Sequence, residues 1–549
     1  MRRSQPNFLA VLAILLTLAL PRCGWAQFNF ITNADNTITI TGYTGVGGDV
    51  IIPDSTNGFP VTTIENQAFI GQTLTSVMIP DSVNSIGVLA FAGCSGLTSV
   101  VIGGGVTNIG SDAFYNCAAL TNIAVNTTNL SYASANGALF DKSQTTLIQF
   151  PASLAGGYVI PSSVITIAGY AFSGCTGLTN VTVPNGVISI GNGAFEGCSA
   201  LRNMMIPKSV VSIGGWVFAP CIGLTNFAVD VGNANYASVA GVLFDKALTV
   251  LIQYPGGLSG SYAIPHVVNN IGDVAFDNCL GLTTVTIPDS VTNIGYNAFD
   301  RCSNLTSLTI PDSVFNIGSS AFSRCTSLTN ATIGNGVKNI PELAFAQSTG
   351  LTSVTIGNGV TNIGRYAFDN CSNLKCVALG INVSTISSRA FQYCSSLMTM
   401  TFPNKVTDIG DFAFYGCFSL HSAYFQGDAP TANGNLGSGD YWIFYGETGT
   451  AYYLPGTTGW GDTFGGWPTA QWFQPQPQIL GSAYGLGAGS NGFQFTVSWA
   501  TNTAVVVEAS TNLQKWTPVI TNTLVSGTNA FADAAWTNYP QRFYRVRSP

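Results

Sequence analysis

The sequence predicts an α/β solenoid of stacked coils, with a parallel β-ladder on one face and a short helical turn on another, followed by a small all-β domain. Three observations carry that prediction. An Ala-Phe pair (once Val-Phe) recurs at Phe69, Phe91, Phe114, Phe172, Phe195, Phe218, Phe276, Phe299, Phe322, Phe345, Phe368, Phe391 and Phe414, mostly in steps of 23 residues. A fixed period of about 20 to 30 residues marks coils that bury their apolar faces only by stacking. The coil beginning at Leu282 carries Leu-x-x-Val-x-Ile, which alternates inward and outward at its end as a strand does. Beyond Phe425 the rhythm stops, and the chain ends in short alternating segments such as Phe493, Phe495, Val497 and Trp499.

The predicted organisation follows from these breaks. Residues 27–68 form an N-terminal cap and first coil, and 69–425 the repeats. Residues 426–473 form a C-terminal cap, 474–478 a proline-rich linker, and 479–549 a small β-sandwich-like domain. Two steps, Phe114 to Phe172 and Phe218 to Phe276, span 58 residues, one coil plus a matched insertion. The insertions lie at about 126–160 and 230–264 and read as hairpins.

Composition narrows the function. Only 8% of residues are charged and the net charge is −7, so no basic stripe offers itself to nucleic-acid phosphates. Residues 1–26 read as a secretory signal peptide: Arg2 and Arg3, an apolar run from Phe8 to Leu20, then Gly24-Trp25-Ala26. That run falls short of the roughly 20 residues needed to span a bilayer. No other stretch reaches that length, so the expectation is a secreted or cell-surface chain with no transmembrane segment once mature.

An exported chain with 13 cysteines suggests disulfides, but their placement argues otherwise. Cys94, Cys117, Cys175, Cys198, Cys221, Cys279, Cys302, Cys325, Cys371, Cys394 and Cys417 each lie three residues after the repeat phenylalanine, and Ser348 fills the slot once. One column with a tolerated serine reads as packing of small buried side chains rather than as pairing or a zinc site.

In the coil Leu282 to Leu305, Leu282, Val285 and Ile287 belong to the strand, and Pro288-Asp289-Ser290 to a turn. Val291 to Gly295 return along the far side, and Ala298-Phe299-x-x-Cys302 has the i, i+3 spacing expected of one helical turn. The phrase I-P-x-S-V-x-x-I-G-x-x-A-F-x-x-C-x-x-L resembles the BspA-like leucine-rich repeats of bacterial secreted and surface proteins, over about Asn29 to Phe425. The resemblance implies a right-handed, curved solenoid that binds proteins or mediates adhesion, without enzymatic activity or cofactors.

Chemistry has few candidates. His266 and His421 are the only histidines, and neither has a recognisable acid–base partner, so no catalytic residue is assigned. Asp81, Asp289 and Asp312 share a turn slot that Gly104, Asn185, Lys208 and Asn404 hold elsewhere, so no metal site accumulates. The repeated Phe-Asp-Lys at Phe140 and Phe244 is either a binding tip or, more simply, a hairpin turn. Trp460, Trp467 and Trp472 offer either cap packing or a sugar platform.

The binding candidates are the outward ladder positions Thr284, Thr286, Ser307, Thr309, Asn330, Thr332, Ser353 and Thr355, a neutral surface of hydroxyls and amides. Cys376 falls on the same face by register and is a candidate exposed thiol. The leading reading is a non-enzymatic surface protein whose partner is a protein or glycan. The alternatives are an inert structural envelope protein, or glycan binding through the aromatic cap or the last domain.

Overall fold

The computed structural model describes residues 27–431, 442–472, 478–480, 487–489, 492–499, 503–524 and 528–547. The expected signal peptide and residues 474–477 of the expected linker lie outside the described residues. The chain divides into two compact units, Met1–Leu154 and Ala155–Pro549.

In the first unit an antiparallel pair, Phe28–Thr32 with Ile38–Tyr43, starts the stack. Parallel strands Gly48–Ile51, Leu74–Ile79, Ser99–Ile102 and Asn122–Val125 form one ladder. Phe59–Ile64, Ser85–Ile86 and Asn108–Ile109 form a second. Phe69, Phe91 and Phe114 stack between them with centroids 4.9 and 5.6 Å apart, and Tyr43 closes the column 5.4 Å from Phe69.

The second unit repeats this plan. Outer strands such as Ser307–Ile310, Asn330–Ile333, Ser353–Ile356 and Cys376–Ala378 pair in parallel, as do two-residue strands such as Asn339–Ile340, Asn362–Ile363 and Thr385–Ile386. The phenylalanines from Phe276 to Phe414 stack at 4.5 to 5.4 Å. The column then passes to Phe444 and ends on Trp467, 4.1 Å beyond. Side chains as large as phenylalanine, fully buried in every coil, supply the main apolar burial of the stack.

The expected helical turn is not there: the fold is a β-solenoid, and the described residues contain no α-helix. In the specimen coil the backbone amides alternate. Ala298, Asp300 and Cys302 donate three residues back, to Gly295, Asn297 and Phe299. Asn297, Phe299 and Arg301 donate across to Ser319, Ala321 and Ser323 of the next coil. Positive φ at Asn297 (51°) and Arg301 (57°) turns every second amide outward, which a helix cannot do. The i, i+3 spacing is real, but it belongs to linked turns hydrogen-bonded between coils.

Each insertion is three strands rather than two. In the first, Tyr132–Ala135, Ala138–Asp141 and Thr146–Gln149 run antiparallel. The tight turn Asn136-Gly137 has φ of 51° and 81°, the conformation that suits a two-residue hairpin. In the second, Tyr254 enters the aromatic column itself, 5.0 Å from Phe276.

The C-terminal segment holds two antiparallel sheets. Gly492–Ser498 is flanked by Gln478–Ile479, Gly487–Gly489 and Thr528–Asp533, and Thr503–Ser510 by Thr517–Leu524 and Phe543–Arg547. Phe495, Val497, Val505, Val507, Leu524 and Phe531 form their common core. Glu508 is held by Arg545 at 2.8 Å and Arg547 at 2.9 Å.

Candidate functional site

Alternation along each outer strand fixes what the ladder face presents. Leu308, Ile310, Ala331, Ile333, Val354 and Ile356 point inward and are buried, so their neighbours point out. Thr284, Thr286, Ser307, Thr309, Asn330, Thr332 and Thr355 are exposed, and Ser353 is half-buried. Register aligns them in two columns. Ser307, Asn330, Ser353 and Cys376 are successive partners, and so are Thr309, Thr332, Thr355 and Ala378. Ser353 Oγ donates to Asn330 Oδ1 at 2.5 Å, and Thr329 and Thr352 hydroxyls donate to the carbonyls of Thr306 and Thr329 at 2.9 Å. Cys376 is exposed at the end of its column.

Toward the C-terminal end the face changes character. Thr401 pairs in register with Tyr424, and Tyr424 with Tyr452. The two tyrosine rings stack at 5.1 Å, and Trp472 lies 4.9 Å from Tyr424; all three are half-buried. Sequence reading ended the repeats at Phe425 and placed Tyr452 and Trp472 in the cap, whereas the parallel ladder runs on through Thr450–Tyr453 and Trp467–Gln471. The other cap tryptophans are spent on packing. Trp467 is buried with its indole N–H donated to the Glu447 carbonyl at 3.0 Å, and Trp460 stacks on Tyr453 at 5.1 Å.

The remaining candidates are structural in their contacts. Asp141 accepts from Ser143 at 2.6 Å, Thr145 at 2.7 Å and the Thr146 amide at 2.6 Å, and Asp245 accepts from Thr249 and the Val250 amide. Each Phe-Asp-Lys segment therefore ends a strand and opens its turn at the lysine, with both phenylalanines buried. His266 is exposed, and His421 Nδ1 lies 3.0 Å from Ser422 Oγ. The column cysteines are buried. Burial pushes the Cys94 thiol up to about 11 and Cys117 to about 12, so both are neutral near pH 7.

A stack of coils, each burying a leucine-rich strand against a phenylalanine column, defines a leucine-rich-repeat solenoid. The chain belongs to the BspA-type leucine-rich-repeat family: the family described as BspA type Leucine rich repeat region matches in 6 copies, over residues 62–159, 157–240, 259–375 and 316–435. Similar solved structures include a leucine-rich repeat protein from Eubacterium ventriosum, with 25% identity over 72% of this chain and 93% of that one, and a TM-score of 0.49. A leucine rich cell surface protein from Faecalibacterium prausnitzii is 28% identical over 73% of this chain and 94% of its own, with a TM-score of 0.42. No curated protein matches this chain. Among the described residues no helix is long and apolar enough to cross a membrane.

Proposed function

We propose that this is a secreted or cell-surface protein that binds another protein without catalysis, through the ladder face, in an adhesive or interaction role. The observation that carries the reading is the register-aligned surface of Thr, Ser and Asn side chains in the second unit together with the aromatic group Tyr424, Tyr452 and Trp472 on the same kind of outward position. Small hydroxyls give a flat, uncharged contact area, while tyrosine and tryptophan are the residues that most often anchor protein interfaces. Family membership supports an interaction role, and the N-terminal sequence supports export.

Surface plasmon resonance of the full chain against a panel of extracellular-matrix proteins tests the reading. A captured partner is expected to bind Tyr424→Ala at least tenfold more weakly, and Thr309→Lys with Thr332→Lys weakly or not at all. A partner that binds all of these variants as tightly as the native chain overturns the assignment to this face. Export is tested by mass spectrometry of the mature N-terminus, expected at Gln27.

A further inference from the structure

The second insertion shortens its coil on the turn side, and the shortfall leaves a notch. Leu251 pairs with Ile271, and Tyr254 stacks on Phe276, so both coils share the same strand and aromatic slots. Two residues separate Leu251 from Tyr254, where four separate Ile271 from Phe276. The missing backbone opens a cavity of about 250 Å³. Its lining includes Trp216 on one side, Val250, Ile252 and Gln253, and Asp273 and Val274 on the other.

Three groups facing this space have unused capacity. Trp216 is 40% exposed and held at a φ of 62°, with its ring 5.7 Å from that of Tyr296. The slot two residues before the repeat phenylalanine is tryptophan only here; it holds Asp112, Asn297 and Arg389 in other coils. Gln253 is 6% exposed and spends its amide N–H on the carbonyls of Tyr254, Val274 and Ala275, while among the described residues no donor reaches its Oε1. Asp273 accepts the Tyr296 amide at 2.8 Å through Oδ1 alone, leaving Oδ2 open.

We propose that this notch is a binding site for one neutral pyranose unit of a glycan. An indole face matches the apolar C–H face of a sugar ring, and two acceptors, an amide oxygen and a carboxylate oxygen, match ligand hydroxyl donors. The carboxylate disfavours anionic ligands such as phosphates and sulfated sugars. The volume lies below the roughly 300 to 1,000 Å³ of drug-sized sites, so it admits a single ring rather than a buried chain. This site is separate from the ladder face and independent of protein binding there.

The test is calorimetric titration of the full chain with the methyl pyranosides of glucose, galactose, mannose and N-acetylglucosamine. At least one is expected to bind with a Kd of about 1 to 10 mM. Trp216→Ala is expected to weaken that binding about tenfold, and Asp273→Asn severalfold, while Trp216→Phe retains most of it. Thermal melting confirms that each variant folds, and Trp216→Phe with Asp273→Asn keeps the test available should Trp216→Ala not fold. The proposal is overturned if none of the four sugars binds, or if folded Trp216→Ala or Asp273→Asn binds as tightly as the native chain.

Discussion

Ser348 Oγ donates to the carbonyl of Phe322 at 2.9 Å and accepts from the backbone N–H of Cys325 at 3.2 Å. In the neighbouring coil Cys371 Sγ makes the equivalent bond to the carbonyl of Phe345, at 3.2 Å. Cys302 to Phe276 and Cys394 to Phe368 repeat it at 3.1 and 3.2 Å. The cysteine column is therefore a set of weak donors that link each coil to the carbonyl of the preceding phenylalanine, as well as being small and apolar.

That role predicts which substitutions the column accepts. Cys302→Ser keeps the donor and is expected to change stability by no more than about 1 kcal/mol. Cys302→Val removes the donor at a fully buried site and leaves the Phe276 carbonyl without it, with an expected cost of about 1 to 3 kcal/mol. Urea denaturation of the two variants decides between this account and simple apolar packing, under which valine would be the better tolerated of the two.

Thiol chemistry should separate Cys376 from the column. Ellman's reagent is expected to label Cys376 in the native chain at pH 8 and to reach the other described cysteines only after denaturation. The same burial makes an alkaline prediction. An unfolded thiol titrates near 9, whereas Cys94 is pushed up to about 11 and Cys117 to about 12. The folded state thus holds protons that the unfolded state releases, so its stability is full below pH 9 and falls as pH rises from there toward 12. A melting temperature that stays level from pH 8 to 11 would count against burial of these thiols.

The phase of the repeat made much of this legible in advance. Phe299, Leu282 and Ile294 could be assigned to the core because their slots recur, and outward Thr309 and Thr332 follow from strand alternation. The helical turn was misread because i, i+3 spacing serves a helix and a chain of tight turns alike. The distinguishing signal is positive φ, and residues such as Leu89, Trp216 and Arg324 adopt it here without glycine to announce it. The Cys-to-Phe bonds join residues 26 apart on different coils, and Tyr254 enters the column out of rhythm. Pattern along one chain does not display either.

Asn233 illustrates a second contact invisible in sequence. It is buried, donates to the carbonyls of Pro207 at 2.8 Å and Val210 at 3.0 Å, and accepts from the amides of Asn235 and Tyr236, both at 2.8 Å. Four bonds to one amide tie the second insertion to the coil before it. Asn233→Ala would leave these backbone groups unsatisfied and is expected to cost about 2 to 4 kcal/mol. Hydrogen exchange should then show faster exchange across Tyr236–Val239 and Val242–Asp245 than across Ser307–Ile310; uniform exchange would mean that the amide does not pin the insertion.

Asp277 gives the last prediction, because its carboxyl is buried with little to offset its charge. Burial raises it to about 6, against a bond from Asn278 at 3.0 Å; the Asp300 carboxylate pushes the same way as burial, and Arg301 and Arg324 oppose it. A folded pKa above the unfolded value means that this group favours folding most when both states are protonated, below about pH 3.8. That contribution is lost as pH rises through about 6, when the buried group must ionise. Asp277→Asn removes the penalty while keeping the shape of the side chain. The variant is therefore expected to be more stable than the native chain by about 1 to 3 kcal/mol at pH 8, and nearly equal to it at pH 4. Urea midpoints at the two pH values test this directly, since a gain of the same size at both would show that charge burial at Asp277 is not its cause.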